Sequence, residues 1–240
     1  MYEQRTYRHK IKGSGLVSFT AKVKETDLFI LAQSELSGET LFLIDEYRRP
    51  LEKYIRSHPL FLHSLEPLSV DEAAPEIVRL MARAGKAARV GPMAAVAGAM
   101  AELVGNRLLE YSQEVIVENG GDIFMKISKR RRIGIFAGDS PFTGKLALEI
   151  DPKGTPLGIC TSSGTVGPSL SLGSTDATIV LSRSAALADA AATAIGNLVK
   201  TVDDIQDALN YGREIKDVTG IVIVMGGRMG AWGDIKLIKI

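Results

Sequence analysis

Sixteen of the chain's 25 alanines fall in two windows, residues 82–101 and 185–194, and the second window holds seven in ten positions. Alanine is the strongest helix former and adds almost no width. Both windows therefore predict helices too thin to fill a core with their own bulk. Such helices must lie close against another backbone, and thin elements also leave room for a ligand. The chain around them has 240 residues, 45% of them hydrophobic. That is enough for one large domain or two lobes around a shared core.

The remaining composition narrows the function classes. A net charge of +1 removes the usual electrostatic case for nucleic acid as the main partner. The single cysteine, Cys160, permits no intrachain disulfide and no cysteine metal cluster, and fits a reducing compartment. Three histidines argue against a histidine-rich metal site. Residues 1–10 alternate bulky and polar side chains and contain no apolar run, so no signal peptide is expected. No window approaches the roughly 18 apolar residues of a membrane-crossing helix. The expectation is a cytoplasmic protein without membrane attachment.

The hydrophobic pattern places the elements. Residues 2–12 and 16–24 flank Gly13-Ser14-Gly15 and read as a hairpin of half-buried strands, with a further strand at 27–33. Apolar spacing predicts a helix over 38–57, kinked or divided at Pro50. A connector follows at 58–70, then helices at 73–90 and 93–110, separated by Gly91-Pro92. Strands are expected at 115–117, 123–128, 133–137, 145–150, 157–161 and 176–182. Residues 129–132, Lys-Arg-Arg-Arg, read as a solvated turn. A small-residue helix at 185–200 and a short one near 202–210 precede strands at 220–225 and 233–240, parted by a glycine-rich turn. This order lacks the regular strand–helix alternation of a parallel doubly wound sheet, so the fold class is α+β with mostly antiparallel sheets. Gly105-Asn106 near the end of one alanine-rich helix is echoed by Gly196-Asn197 near the end of the other, a faint internal repeat.

Three constellations could carry chemistry. Asp189 and Thr193, four residues apart on one helix face, offer two hard oxygens to a cation such as Mg²⁺ or Ca²⁺; an acidic residue early in a helix also suits the helix dipole. Asn119-Gly120-Gly121-Asp122 joins two apolar strands, as a tight turn or as a backbone able to approach a ligand. Residues 161–169 are rich in hydroxyls and glycine, as a diphosphate cradle or as an ordinary surface loop. Beside these, Cys160 reads as a buried structural thiol and Trp232 as an edge packing residue. His58 and His63 flank a short apolar run that could place them on one metal.

In this order, Asn119-Gly120-Gly121-Asp122-Ile123, the Ser/Gly loop, a strand and Leu187-Ala188-Asp189-Ala190-Ala191-Ala192-Thr193-Ala194 resemble the ApbE superfamily, best known for FAD:protein FMN transferases. Over nearly the whole chain the sequence is more similar to the UPF0280 branch. The run 160–197 carries most of the likeness. The resemblance implies duplicated halves of the T-fold type, with the alanine-rich helices packed between and a ligand cleft between the halves. On that view residues 1–240 form one domain of two interleaved halves, approximately 1–112 and 113–240. In ApbE enzymes the Asp and Thr of the Ala-Asp-Ala-x-x-Thr-Ala motif hold a divalent metal beside the FAD diphosphate, helped by a backbone carbonyl from the earlier small-residue helix start. Carried over, the metal ligands are Asp189, Thr193 and a carbonyl at Ala94 or Ala95. Asn119, Gly120, Gly121 and Asp122 with Ser162, Ser163, Gly164 and Thr165 would face the flavin or its phosphates.

The sequence departs from the enzyme pattern in two places. Ala97 precedes Gly98 where the enzymes carry Lys or Glu. A short segment, 171–176, replaces their His-x-Ile-Asp-Pro-x-x-Gly, and His9, His58 and His63 all lie in the first third. The function expected is therefore binding of Mg²⁺ or Ca²⁺ with FAD, FMN or another anionic small molecule, with group transfer as the reaction class. Two alternatives stay open. One is a non-catalytic accessory protein of anaerobic sulfur or redox metabolism with a protein partner or a second copy. The other is a metal-dependent diphosphate hydrolase.

Overall fold

A computed structural model describes residues 15–165 and 172–240. The expected strand at 2–12 and residues 166–169 of the hydroxyl-rich loop lie outside these. In Val17–Val23 (β1) Phe19 and Ala21 turn inward while Ser18, Thr20 and Lys22 are exposed, the two-residue period of a strand with one buried face. Lys24 and Glu25 turn the chain into Thr26–Ala32 (β2). Four helices follow: Ser37–Ser57 (α1), Leu60–His63 (α2), Glu76–Ala88 (α3) and, after a tight helical turn at Pro92–Ala95, Val96–Leu108 (α4). Five strands come next, Val115–Asn119 (β3), Asp122–Lys126 (β4), Arg131–Gly134 (β5), Leu146–Ile150 (β6) and Leu157–Ser162 (β7). Ala177–Ser182 (β8), Ala185–Leu198 (α5), Ile205–Arg213 (α6), Val218–Met225 (β9), Arg228–Gly233 (β10) and Leu237–Lys239 (β11) complete the order.

Eight strands form one sheet in the order β1-β2-β3-β4-β7-β8-β9-β10, and β11-β6-β5 form a second, smaller one. Every described pairing is antiparallel, as the α+β reading expects. The large sheet is the middle of three layers. Val117, Phe124, Cys160, Val180 and Ile221 point to the helices and share a core with Met81, Met100 and Ile195. Their strand neighbours Ile116, Met125, Ile159, Ile179 and Val222 point the other way and pack on Leu148 and Ile150 of the small sheet. Strand β8 is buried at all six positions because both of its faces are covered.

Three expectations need correction. Pro50 neither ends nor divides α1, which runs unbroken from Ser37 to Ser57. A proline inside a helix forfeits one backbone hydrogen bond, but Leu43, Ile44 and Tyr47 before it and Leu51 after it are all buried on the same core. The turn expected at 129–132 is shorter: Arg131 and Arg132 already belong to β5, and Arg131 pairs with the buried Glu114 at 3.0 Å. The glycine-rich turn expected between 225 and 233 is mostly a strand, and the strand expected at 233–240 begins only at Leu237. Gly226-Gly227 closes a two-residue turn, so β10 begins at Arg228. Gly233, at φ 87°, then turns the chain out of the large sheet, and β11 joins the small one. Among the described residues no single helix is long and apolar enough to cross a membrane.

Candidate functional site

The site lies where the turn between β3 and β4, the end of β7, the start of α4 and the body of α5 converge. Gly120 and Gly121 have φ values of 69° and 105°, backbone conformations that side chains disfavour, and so close a two-residue hairpin. The turn holds Asn119 and Asp122 opposite each other across the hairpin. Both side chains are committed. Asn119 Nδ2 donates to the Ala97 carbonyl at 3.1 Å, and Asp122 Oδ1 accepts from the Thr161 N–H at 3.2 Å. Glu118, also buried, accepts from the Gly121 N–H at 2.8 Å and braces the turn.

The two alanine-rich helices touch instead of facing each other across a cleft. A Cβ at Gly98 would lie 2.3 Å from the Ala185 carbonyl oxygen and 2.8 Å from Asp189 Cβ, so only glycine fits. Their small side chains permit this approach. At the contact, Asp189 Oδ2 accepts the Gly98 N–H at 2.8 Å. Gly98 lies in the first turn of α4, whose own N-cap residue, Ala95, supplies no side-chain bond. Asp189 therefore serves as that cap from another helix.

Electrostatics single out this corner. Burial drives the Asp122 carboxyl well above its usual value, and the charges of Asp189 and Glu118 add to the rise against the Thr161 N–H and Cys160 thiol. Burial lifts Asp189 to about 7, opposed by the Gly98 and Ala97 N–H groups. Cys160, beneath α5, donates its thiol to the Ala185 carbonyl at 3.2 Å. Burial first, then the charges of Asp122 and Asp189, hold it as a neutral thiol. A buried carboxylate, Asp122, beside a half-buried one, Asp189, favours either a proton or a cation.

Thr193 is half-buried one turn beyond Asp189, and its hydroxyl makes no hydrogen bond to another described residue. Ala94 sits half-buried in the turn before α4, which packs against α5. Ser162 is buried under the far end of α5, where a Cβ on Gly196 would come within 3.7 Å of its Oγ. Asn119, Asp122 and Asp189 thus meet around the start of α4, with Thr193 one turn further along α5 from Asp189.

The rest of the hydroxyl loop is turned partly on itself. Ser163 Oγ accepts the Thr165 N–H at 3.1 Å, the Gly164 N–H reaches the Thr175 carbonyl at 2.9 Å, and Thr165 Oγ1 donates to Asp176 at 3.2 Å. His58 lies elsewhere, stacked on Tyr54 with ring centroids 4.1 Å apart. Sequence reasoning did not find Glu102, which accepts from Ser184 Oγ at 2.8 Å and from the Ala186 N–H at 3.0 Å. A lone charged residue amid the small residues of 94–105 was the available signal.

A family model described as "AbpE bacteria" matches residues 8–231. A UPF0280 protein of Methanocella arvoryzae is 42% identical over 217 residues, 89% of this chain and 88% of the relative. One from Methanocaldococcus jannaschii is 42% identical over 226 residues, 90% of this chain and 91% of the relative. Among solved structures, the apo flavinyl transferase ApbE of Pseudomonas stutzeri superposes with a TM-score of 0.60 at 15% identity, covering 91% of this chain and 94% of that one. The ApbE protein of Thermotoga maritima gives 0.53 at 13% identity, covering 90% and 96%. At these identities the structural likeness establishes the fold.

Proposed function

The chain belongs to the UPF0280 family of ApbE-like proteins, and from that premise we propose that it binds Mg²⁺ or Ca²⁺ with FAD, FMN or another diphosphate-bearing anion at the α4–α5 corner. The observation that carries this reading is the donor set. Two carboxylates, the buried Asp122 and the half-buried Asp189, act on each other, and the Thr193 hydroxyl, without a hydrogen bond to another described residue, stands one turn from Asp189. These are hard oxygen donors of the kind that Mg²⁺ and Ca²⁺ take. Asp189, Thr193 and the Ala94 carbonyl would hold the cation, which would neutralise diphosphate charge. Gly120 and Gly121, with no side chains, let a ligand approach the turn that Asn119 and Asp122 anchor. Ser162, Ser163, Gly164 and Thr165 would face the ligand's phosphates from the other side.

Thermal unfolding tests the reading. Ligand at a hundred times its dissociation constant adds about 2.7 kcal/mol to stability, so Mg²⁺ with FAD, FMN or ADP should raise the melting temperature. Asp189→Ala, folded by circular dichroism, should lose the cation-dependent part. No shift with any of these ligands overturns the proposal. Release of AMP from FAD then separates the reaction classes. A transferase releases AMP only when an FMN acceptor is present, a diphosphate hydrolase releases it with water alone, and an accessory protein leaves FAD intact. The accessory reading is favoured by the described segment from Leu172 to Asp176, which brings no histidine to the corner. A protein partner or second copy would then act on the bound form, in keeping with a cytoplasmic place.

The large sheet also reads as a duplication of the T-fold kind within one domain. β1–β4 and β7–β10 are each four sequential antiparallel strands with helices between the second and third. Each unit closes its last hairpin with Gly-Gly, at 120–121 and 226–227. On this division the first unit includes β3 and β4 and ends at Lys126.

A further inference from the structure

The α4–α5 contact contains a reciprocal exchange that the cation reading alone does not use. Asp189 of α5 accepts from the first turn of α4, at the Gly98 N–H. Glu102 of α4 accepts from the first turn of α5, at the Ala186 N–H, and from the hydroxyl of Ser184, the N-cap residue. That same Ser184 Oγ accepts the Leu187 N–H at 3.3 Å. The start of α5 is therefore fixed by a relay from Glu102 through Ser184. The exchange is reciprocal (98 with 189, 102 with 186), so each carboxylate reaches the other helix's amino end. Acidic groups at that end complement both the free N–H groups and the helix dipole.

We propose that Glu102 is a positioning residue for the Asp189–Thr193 site. It does not reach the ligand. It locks the first turn of α5 in register against α4, and Asp189 and Thr193 follow on the same rigid helix, one and two turns later. The Gly98 contact allows no side chain between the helices. A small slip at the start of α5 therefore moves Asp189 off the Gly98 N–H and turns Thr193 with it. The inference rests on the cation reading of this corner for its functional meaning, but the placement of Asp189 can be measured without any cation.

The experiment uses the full chain, with Mn²⁺ as a probe for the hard cation. Dissociation constants come from calorimetry, and amide hydrogen exchange at Gly98 is followed in metal-free protein. Loss of a residue that orients a metal ligand typically weakens the metal about 10-fold or more. Glu102→Ala should weaken Mn²⁺ by that factor and should speed exchange at Gly98, whose N–H loses its acceptor. Glu102→Gln keeps an oxygen that can accept from both Ser184 and Ala186, so it should stay within about twofold of wild type in both measurements. A purely structural role would lower the melting temperature of Glu102→Ala and leave Mn²⁺ affinity and Gly98 exchange unchanged, which overturns the proposal. Equal loss of affinity in the Ala and Gln variants, with Gly98 still protected in Glu102→Gln, points to charge instead of placement and also overturns it. If the wild-type chain binds no Mn²⁺, the cation reading fails by itself, and Gly98 exchange still decides whether Glu102 places Asp189.

Discussion

α4 and α5 are alike in thinness and unlike in what they do with it. Each ends near a Gly-Asn pair, and seven residues before that glycine α4 carries Gly98 while α5 carries Asp189. These two matched positions touch each other. Four residues further on, α4 has Glu102, spent on the start of α5, and α5 has Thr193, whose hydroxyl is uncommitted among the described residues. One helix gives room and support; the other gives the groups that can meet a ligand. Similar backbones need not divide a site evenly, and here the side lacking a side chain matters as much as the side bearing one.

Removing the room is the harshest way to break this pairing. In Gly98→Ala the new methyl meets backbone, which cannot swing aside, so urea unfolding should show a loss of about 3 kcal/mol. A loss under half a kcal/mol would mean that the helices are not in contact there.

Next in size is the charge. The raised proton affinity of Asp189 means that the folded chain holds a proton there between about pH 4 and 7 where the unfolded chain does not. Stability from this group is greatest below pH 4, falls as pH rises towards 7 and is level above it. Asp122 contributes in the same direction. Asp189→Asn keeps an oxygen for the Gly98 N–H and should flatten most of that decline in the absence of divalent cations. An unchanged slope between pH 5 and 8 would show that Asp189 does not titrate there.

Smaller effects separate the two glycine turns. Gly121→Ala forces a side chain to φ 105° and should cost about 2 kcal/mol. Gly226 sits at φ 55°, nearer the left-handed region that other residues tolerate, so Gly226→Ala should cost about 1 kcal/mol. Equal costs would indicate that both turns relax to the same form. Smallest is Asp176→Ala, which removes acceptors from the Gly226 N–H and the Thr165 hydroxyl. It should cost at most about 1 kcal/mol in thermal unfolding, because both donors are near solvent. It should leave cation binding at Asp189 and Thr193 as it was, and a change there would tie the second turn to the cation.

The sequence made visible whatever depends on local pattern. The alanine windows gave away thinness, the spacing of Asp189 and Thr193 gave one helix face, and Gly120-Gly121 gave a turn. Hidden were the pairings of residues far apart in the chain. Nothing near Gly98 announces that Asp189, 91 positions on, will cap its helix. Nor does a single glutamate among alanines state that its partners are Ser184 and Ala186. Arg131 looked like part of a solvated basic run because its buried partner, Glu114, lies on the far side of a hairpin. Pro50 was misleading for the opposite reason. Its local penalty is real, but the burial of its neighbours outweighs it, and burial cannot be read from a few residues.

The pairing of β11 with β6 joins Leu237 to Leu148, residues separated by most of the second half of the chain. Closing so long a loop costs conformational entropy before any contact repays it. The pairing of β2 with β3 spans a similar separation, Phe29 to Glu118, but all of β1–β4 has emerged from the ribosome once Lys126 has. The edge of β6 that β11 covers must wait until residue 237 has emerged. Until then that strand edge is open to wrong partners, which makes it a stretch where a chaperone would have work to do.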